Sequence, residues 1–549
     1  MRIDPERATT AIVSPLLLFL GLAVPASLLA VTARSPLPWH QLLASPVAAR
    51  AIRHTLVAGG ASALWAGLLG GSFALLAGLT DLPHRRTLSF LFLLLMIMPA
   101  QISVIAWIAL TGSTSPVLAP LGLAPHPGAP LPLYGPGGII FLMGVEHAPI
   151  VFLILASRLR AIPPEILEAA AGAGAGPWHS LTRILFPLAL PSLAAGLSGA
   201  FAAGIGNFAT PALLGIPGRY IMLTTLIFQL LSGFGPNELG AVTLLSLLLG
   251  LIALAAVVAE RTLAPATPTL PTRSRTPPFT LGTWRLRAAA LCWLVLTILL
   301  FLPLASLAAT AATRAYGQNF GLATLSLAHF RAVLLDEAAT RRAFFNSTLL
   351  ALIAATLLVL LAAAAAHRAS AGSRPAKLSL AAAEISYVLP GSALGIGCIL
   401  LFLRPILGFS LYDTLGILLI AYLMRFFALA RRPMQAMLES LDPALEETAA
   451  SLGAGYGRRL IRVVMPALAP AAAAAALLVF LGAFSELTIS VLLWSEGNET
   501  VGVMIFNLEQ AGEFSSAAAL SVVTVAVTLL LLAAATLAAR GRAILPWQE

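Results

Sequence analysis

Apolar runs long enough for a helix to cross a hydrocarbon layer recur from Ala11 to Leu537, separated by short polar stretches. Such a crossing takes about 20 helical residues for a layer of about 30 Å. In the first part of the chain the runs fall near 11–32, 54–79, 88–111, 137–157, 188–206 and 239–259; in the second, near 288–310, 346–366, 379–403, 411–430, 467–485 and 515–537. The pattern predicts an all-α membrane protein with about twelve transmembrane helices. Glu260 to Arg287 breaks it: this stretch is rich in Pro, Thr and Arg and lacks helical periodicity, so it reads as a linker. The expected organisation is a six-helix half over 1–259, a cytoplasmic linker over 260–287 and a second six-helix half over 288–549.

Composition agrees. The 549 residues are 59% hydrophobic and only 10% charged, against about 25% charged in soluble domains. The first run follows Arg2 and Arg7 and has the look of a signal peptide, but it exceeds the roughly 7–15 residues of an h-region, so a retained anchor is expected. Cys292 and Cys398 both fall inside predicted spans, which argues against a disulfide framework or a thiolate metal site.

A net charge of +10 raises the question of a polyanionic partner, and its distribution answers it. With a cytoplasmic amino terminus, the 32 Lys and Arg residues divide into 22 in cytoplasmic segments, 9 in external ones and Arg425 inside a span. That bias orients both termini to the cytoplasm. No dense basic stripe alternates with aromatics, so the expected surroundings are membrane lipid and not nucleic acid.

The halves repeat. At an offset of 279 residues, Pro164 falls on Pro443, Glu168 on Glu447, Gly174 on Gly453, Pro187 on Pro466 and Phe201 on Phe480. Six crossings per half return the chain to its starting side, so the repeats are parallel and related by an axis along the membrane normal.

The repeat is densest in the loop between the fourth and fifth spans of each half. The first copy, Ile162 to Gly174, reads IPPEILEAAAGAG; the second, Leu441 to Gly453, reads LDPALEETAASLG. Pro164 and Pro443 suit the first turn of a short helix, and the carboxylates that follow favour its positive end. Ile166, Ala169, Ala170 and Ala173 recur at helical spacing, as do Leu445, Thr448, Ala449 and Leu452, giving each helix an apolar face of mostly small residues able to enter a groove on another protein. Gly174 and Gly453 would end the helices by permitting positive φ or a close backbone approach.

These loops closely resemble the EAA loop of binding-protein-dependent ABC importer permeases: Glu-Ala-Ala, three residues, Gly, nine residues, an aliphatic, one residue, an apolar residue and Pro. Glu168, Ala169, Ala170, Gly174, Ile184 and Pro187 match it, as do Glu447, Ala449, Gly453, Val463 and Pro466; Thr448, Phe186 and Met465 are mild departures. The resemblance implies a type I ABC importer (MetI-like) permease fold, with the two loops as coupling helices docked in clefts of two ATPase subunits. It also implies a periplasmic solute-binding protein as partner and the bacterial inner membrane as location.

No ATPase is expected in the chain itself. A P-loop needs Lys beside Ser or Thr after a Gly-rich turn, and the single lysine, Lys377, is preceded by Arg-Pro-Ala and followed by Leu378. This chain would bind no cofactor; ATP and Mg would sit on the partner subunit. No catalytic residue is assigned.

Ionisable groups in hydrocarbon are costly enough to suggest function. The candidates are Glu146 and His147 in the fourth span, Glu384 in the ninth, Arg425 in the tenth and Glu486 after the eleventh. Glu146 coincides with Arg425 under the repeat, and the two opposite charges are expected to form a structural pair across the half-to-half interface, with a substrate contact as the alternative. Asn207 coincides with Glu486, each ending the span after the coupling loop; both could line the pathway or cap a helix. His147 beside Glu146 lacks metal-site spacing such as H-E-x-x-H, and no metal ligand is assigned.

The segments Asn207–Pro217, with Tyr220 and Leu223-Thr-Thr-Leu226, and Ser485–Thr500 resemble permeases of the ferric-iron importer subgroup, as does the fused double length. That resemblance makes ferric iron the first expected solute, with thiamine, polyamines, sulfate and aminoethylphosphonate as alternatives; Asn207 stands where an acidic residue is usual. A reading of a different class is an ion-coupled secondary transporter using Glu146, Glu384 or Arg425, which would have no use for two docking loops.

Overall fold

A computed structural model of the chain describes residues 5–34, 39–233, 238–263, 279–318, 320–403, 410–442 and 444–538. It is built of helices, and the only extended pairings among the described residues are the isolated bridges Thr80–Phe279 and Thr313–Leu325. The principal helices of the first half are α1 (Pro5–Arg34), α2 (Pro46–Leu79), α3 (Arg85–Ile97), α4 (Ala100–Thr111), α5 (Pro136–Ala161), α6 (Pro164–Gly172), α7 (Phe186–Gly206), α8 (Leu223–Leu231) and α9 (Glu238–Leu263). Those of the second are α10 (Gly282–Ala311), α11 (Ala338–Ser370), α12 (Arg374–Val388), α13 (Gly391–Phe402), α14 (Leu415–Ser440), α15 (Ala444–Ser451), α16 (Met465–Phe484), α17 (Val501–Gln510) and α18 (Phe514–Ala538).

Among the described residues, nine helical segments are long and apolar enough to cross a membrane: α1, α2, α5, α9, α10, α11, α18 and the segments Pro177–Gly206 and Tyr456–Phe484 that end in α7 and α16. The expected spans 88–111 and 379–403 are each broken in two. Helices α3 and α4 meet at 102°, and α12 and α13 at 110°. Each break falls at a proline, Pro99 or Pro390, and the residue before it is extended, Met98 with ψ 131° and Leu389 with ψ 133°. Proline favours this, because its ring crowds a helical predecessor and it has no N–H to continue the ladder, although Pro149 and Pro433 are carried inside continuous helices. The remaining expected span, 411–430, is α14, which runs on to Ser440 and carries Arg425, Arg431 and Arg432.

The helices pack as two compact units. Unit 1 comprises Met1–Pro38, Leu230–Leu247 and Phe330–Glu549; unit 2 comprises Trp39–Gln229 and Leu248–His329. Packing and sequence repeat therefore divide the chain differently. Helix α1 belongs to unit 1, where it lies on α12 and α13, and α10 belongs to unit 2, where it lies on α4 and α3. Of the expected linker, residues 264–278 lie outside the described residues. Its far end is fixed in unit 2, where Phe279 N–H donates to the Leu79 carbonyl (3.1 Å) and Leu281 N–H to Asp81 Oδ1 (2.8 Å).

Small residues explain why α1 seats where it does. A methyl group on Gly21 would lie 2.2 Å from the Ala382 carbonyl oxygen, so the two backbones nearly touch. Ser386 Oγ donates to the Leu20 carbonyl at 2.7 Å. Between apolar helices in lipid, such close approach and interhelical hydrogen bonds provide the attraction that water exclusion supplies elsewhere. In unit 2 the same device joins α2 to α5, with Gly70 against the Ala148 carbonyl. An aromatic cluster fills the space beside it: Phe73 stacks on Phe92 at 4.3 Å and both meet Phe152 edge-on.

Each unit also staples the stretch after its coupling-loop span in the same way. In unit 2, Thr55 Oγ1 accepts from Leu223 N–H (2.8 Å) and His54 Nδ1 meets the Ile221 carbonyl (2.9 Å). In unit 1, Ser347 Oγ accepts from Val501 N–H (2.9 Å) and Asn346 Nδ2 donates to the Glu499 carbonyl (3.0 Å). Thr55 and Ser347 are thus structural counterparts 292 positions apart, whereas the repeat runs at 279 from the fourth span through Asn207 and Glu486, and at 278 for the stapled Leu223 and Val501. The difference sits in the α4–α5 connection, which is longer than its α13–α14 counterpart.

Candidate functional site

The two loops that resemble coupling loops each form a short helix closed by a glycine. Helix α6 begins at Pro164, with Glu165 in its first turn; α15 begins at Ala444, whose N–H bonds Asp442 Oδ1 at 2.9 Å, and carries Glu446 and Glu447 in its first turn. Pro443 lies outside the described residues. The two C-termini are the same. In α6, Gly174 adopts φ +83° and Ala175 N–H reaches back to the Ala170 carbonyl (2.9 Å); in α15, Gly453 adopts φ +79° and Ala454 N–H reaches the Ala449 carbonyl (3.0 Å). This is the six-to-one closure that caps orphan carbonyls through a left-handed residue.

Both short helices are exposed over most of their length. Glu168, Ala169, Glu447 and Thr448 are exposed, Ala170 and Ala449 are half-buried, and Leu445 and Leu452 are 55% and 82% exposed. After each loop the chain re-enters its bundle through one wide π-helical turn, Ser180–Leu185 or Leu460–Val464, immediately before Pro187 or Pro466. In both copies the amide before the proline bonds five residues back, Phe186 to Leu181 and Met465 to Leu460. A proline has no N–H for the normal four-residue bond, and the wider turn absorbs the gap.

Each unit also holds a cluster of polar groups, buried around Glu146 in unit 2 and half-buried at Arg425 and Glu486 in unit 1. In unit 2, Glu146 on α5 is only 6% exposed, and its carboxylate accepts from Asn207 Nδ2 at 2.8 Å and from Thr210 Oγ1 at 3.4 Å. Asn207 ends α7; its side-chain oxygen accepts from Thr210 N–H (3.1 Å) and its carbonyl from Thr224 Oγ1 (3.1 Å). Asn207 therefore caps a turn, one of the two roles read for it from sequence, and also bonds the acid. His147 turns the other way, with Nδ1 2.6 Å from the Met143 carbonyl of its own helix.

In unit 1, Arg425 on α14 donates through Nη1 to the Leu389 and Tyr387 carbonyls (2.8 and 3.3 Å), the groups freed by the break at Pro390. Glu486, after α16, accepts from Ile489 N–H (2.8 Å), Ser490 N–H (3.0 Å) and Ser490 Oγ (2.8 Å), and Tyr422 Oη meets that same hydroxyl at 2.7 Å. Glu146 and Arg425 thus each have partners within their own unit that the repeat did not identify. Glu384 on α12 is bonded by Arg431 of α14, which also bonds Gln435. These groups border a cavity of about 430 Å³ lined also by Lys377 and Glu439.

The sequence signal for Thr210 was present, since Asn207-x-x-Thr210 has the spacing of a side-chain cap. For Arg431 there was none: it stands 47 positions from Glu384 and reads as a cytoplasmic charge. The carbonyl ligands of Arg425 were equally hidden, because only the bend at Pro390 presents them. Among the described residues no group of three or more His, Cys, Asp and Glu is arranged to hold a metal ion.

The sequence matches the family described as binding-protein-dependent transport system inner membrane component, over residues 67–267 and again over 358–542. It is 26% identical over 383 residues to a probable ABC transporter permease protein, y4fN, of Sinorhizobium fredii, covering 66% of this chain and 64% of that one. The Fe(3+)-transport system permease protein FbpB 2 of Haemophilus influenzae is 32% identical over 108 residues, 20% of this chain and 21% of its own. A putative 2-aminoethylphosphonate transport system permease protein, PhnV, of Salmonella paratyphi A is 32% identical over 144 residues, 26% of this chain and 54% of its own. The chain thus spans less than two thirds of the length of each of these relatives. Two matches to one family, each containing one coupling loop with the same glycine-closed geometry, agree with the duplicated helical architecture. The chain belongs to the binding-protein-dependent transport system inner membrane components, in a double-length form.

Proposed function

We propose that this chain is the membrane-spanning permease of an ATP-driven importer, that α6 and α15 are the docking points for two ATPase subunits, and that ferric iron is the solute. One observation carries the reading: two exposed helices with the same glycine closure, each feeding a bundle helix through a wide turn before a proline. A motor gripping such a helix pushes on a rigid lever, and paired levers suit rigid-body rotation between inward- and outward-open states. The excess of Lys and Arg in the coupling-loop side of the membrane supports a cytoplasmic location for both loops and both termini. A periplasmic binding protein would select the solute, and ATP with Mg would be held by the partner subunits.

The choice of iron leans on the ferric-transport relative and on the segments around Asn207 and Glu486; the aminoethylphosphonate relative supports the second reading. Proteoliposomes holding the chain, its neighbouring ATPase and binding protein should accumulate radiolabelled ferric iron only with ATP. Glu168→Arg and Glu447→Arg, both at exposed positions, should each release ATPase subunits and cut uptake at least tenfold. ATP-dependent uptake of aminoethylphosphonate alone would overturn the iron assignment, and uptake driven by an ion gradient without ATP would overturn the importer assignment.

A further inference from the structure

The two coupling helices are not held alike. In unit 1, His367, in the last turn of α11, is 2% exposed and its Nε2 lies 3.0 Å from Glu446 Oε1 on α15. Its ring packs against Tyr456 at 5.7 Å, just beyond the end of the coupling loop. The neighbouring Arg368 lies over the same Tyr456 ring (5.8 Å) and donates through Nε to Thr10 Oγ1 of α1 at 3.1 Å. A single buried imidazole therefore ties the coupling helix to the end of a membrane helix, and the residue beside it ties that end to α1.

The first half cannot repeat this. By the register of the Thr55–Ser347 staples, His367 corresponds to Leu75; by the register of the coupling loops, Glu446 corresponds to Leu167 and Tyr456 to Pro177. None of these carries a side-chain donor or acceptor. The polar tie is a property of the second coupling helix.

We infer that His367 is a positioning residue that latches α15, through Glu446, to the cytoplasmic end of α11, so that the second coupling helix moves with its bundle while the first rides more loosely. The latch rests on the reading of α15 as a docking helix for its purpose but not for its existence. On that reading, motion of the second ATPase subunit is passed to the membrane helices with less slack than motion of the first. Glu447, on the adjoining position, remains exposed for the partner, so the latch does not consume the docking face.

Amide hydrogen exchange on the full chain in lipid nanodiscs, with no ATPase present, tests the latch directly. Residues 444–451 should exchange more slowly than 164–172. His367→Ala should speed 444–451 roughly three- to tenfold, the range one such hydrogen bond supports, and leave 164–172 unchanged. Glu446→Ala, at a half-exposed position that does not threaten folding, should do the same, whereas Glu446→Gln, which keeps an acceptor for the ring N–H, should stay within about twofold of the parent. With the ATPase added, His367→Ala should raise the ATP consumed per solute imported, and Glu446→Gln should not. Unchanged exchange at 444–451 in both alanine variants, or equal acceleration of both coupling helices, would overturn the latch. A latch intact by exchange in a chain that never couples to ATP would instead overturn the importer reading.

Discussion

Residues 146 and 425 occupy the same place in the repeat, as do 207 and 486, yet the two units solve the same problem with opposite chemistry. Unit 2 places the acid on α5 and a neutral amide after α7, and the two bond each other directly. Unit 1 places the acid after the equivalent span, where it closes a turn on its own backbone, and a guanidinium on α14, where it collects carbonyls freed at a proline break. The polar positions persist through the duplication while the charges do not. What is retained is the demand that the corner between these helices be filled by groups that satisfy one another, and low-dielectric surroundings make that demand strict.

The sharpest way to break the comparison is Glu146→Arg. It places a cation against the Asn207 amide with no carboxylate to meet it, and uncompensated buried charge costs about 3–5 kcal/mol. Accumulation of the protein in membranes and uptake should both collapse. Adding Asn207→Glu rebuilds in unit 2 the acid-and-base arrangement of unit 1, and should recover part of the lost accumulation, measured by fluorescence-detected gel filtration.

A close-packing test follows. Gly70→Val forces branched bulk into the Ala148 carbonyl, where overpacking costs about 1–3 kcal/mol. Thermal denaturation in detergent should register the loss, while Gly60→Ala, which meets open space on the same helix, should not.

The comparison extends to pH. Glu509 of α17, whose counterpart in the repeat is Leu230, has its carboxyl pushed by burial from 4.5 up to about 7. Its folded-state value lies above the unfolded one, so its contribution is full below about 4.5 and is lost as pH rises through 7. The protein should be more stable at pH 5.5 than at 8.5 by on the order of 2 kcal/mol from this group. Glu509→Gln should remove that dependence. Glu499, at the head of α17, does not supply it: burial pushes its carboxyl up, but hydrogen bonds from the Gly497 N–H and Arg342 outweigh that and hold it below the usual range, so it stays ionised through this window. The smallest effect belongs to Glu486→Ala, which removes a turn-closing acceptor worth about 1 kcal/mol and should lower the melting midpoint slightly.

Much of the architecture was legible because hydrophobic length is a strong signal and the coupling loops are local. Of the two uses a glycine has at a helix end, Gly174 and Gly453 take the positive φ, and a Cβ at either would meet open space. The bends were less legible: Pro99 and Pro390 sit inside continuous apolar runs, and hydropathy counts residues without sensing a missing N–H. The offset of 279 likewise held for the coupling loops but not for α2 and α11, because a longer connection after α4 displaces the register. Partners such as Thr210 for Glu146 or His367 for Glu446 are set by packing of distant helices, and no spacing rule in one sequence reaches them.

The crossed membership of α1 and α10 bears on how such a chain can be made. The leading helix of each six-helix stretch packs on helices of the other stretch, so neither unit is complete until both stretches have been synthesised. A cut within residues 264–278 would place α1 on a different fragment from α12 and α13, on which it lies, and α10 on a different fragment from α3 and α4.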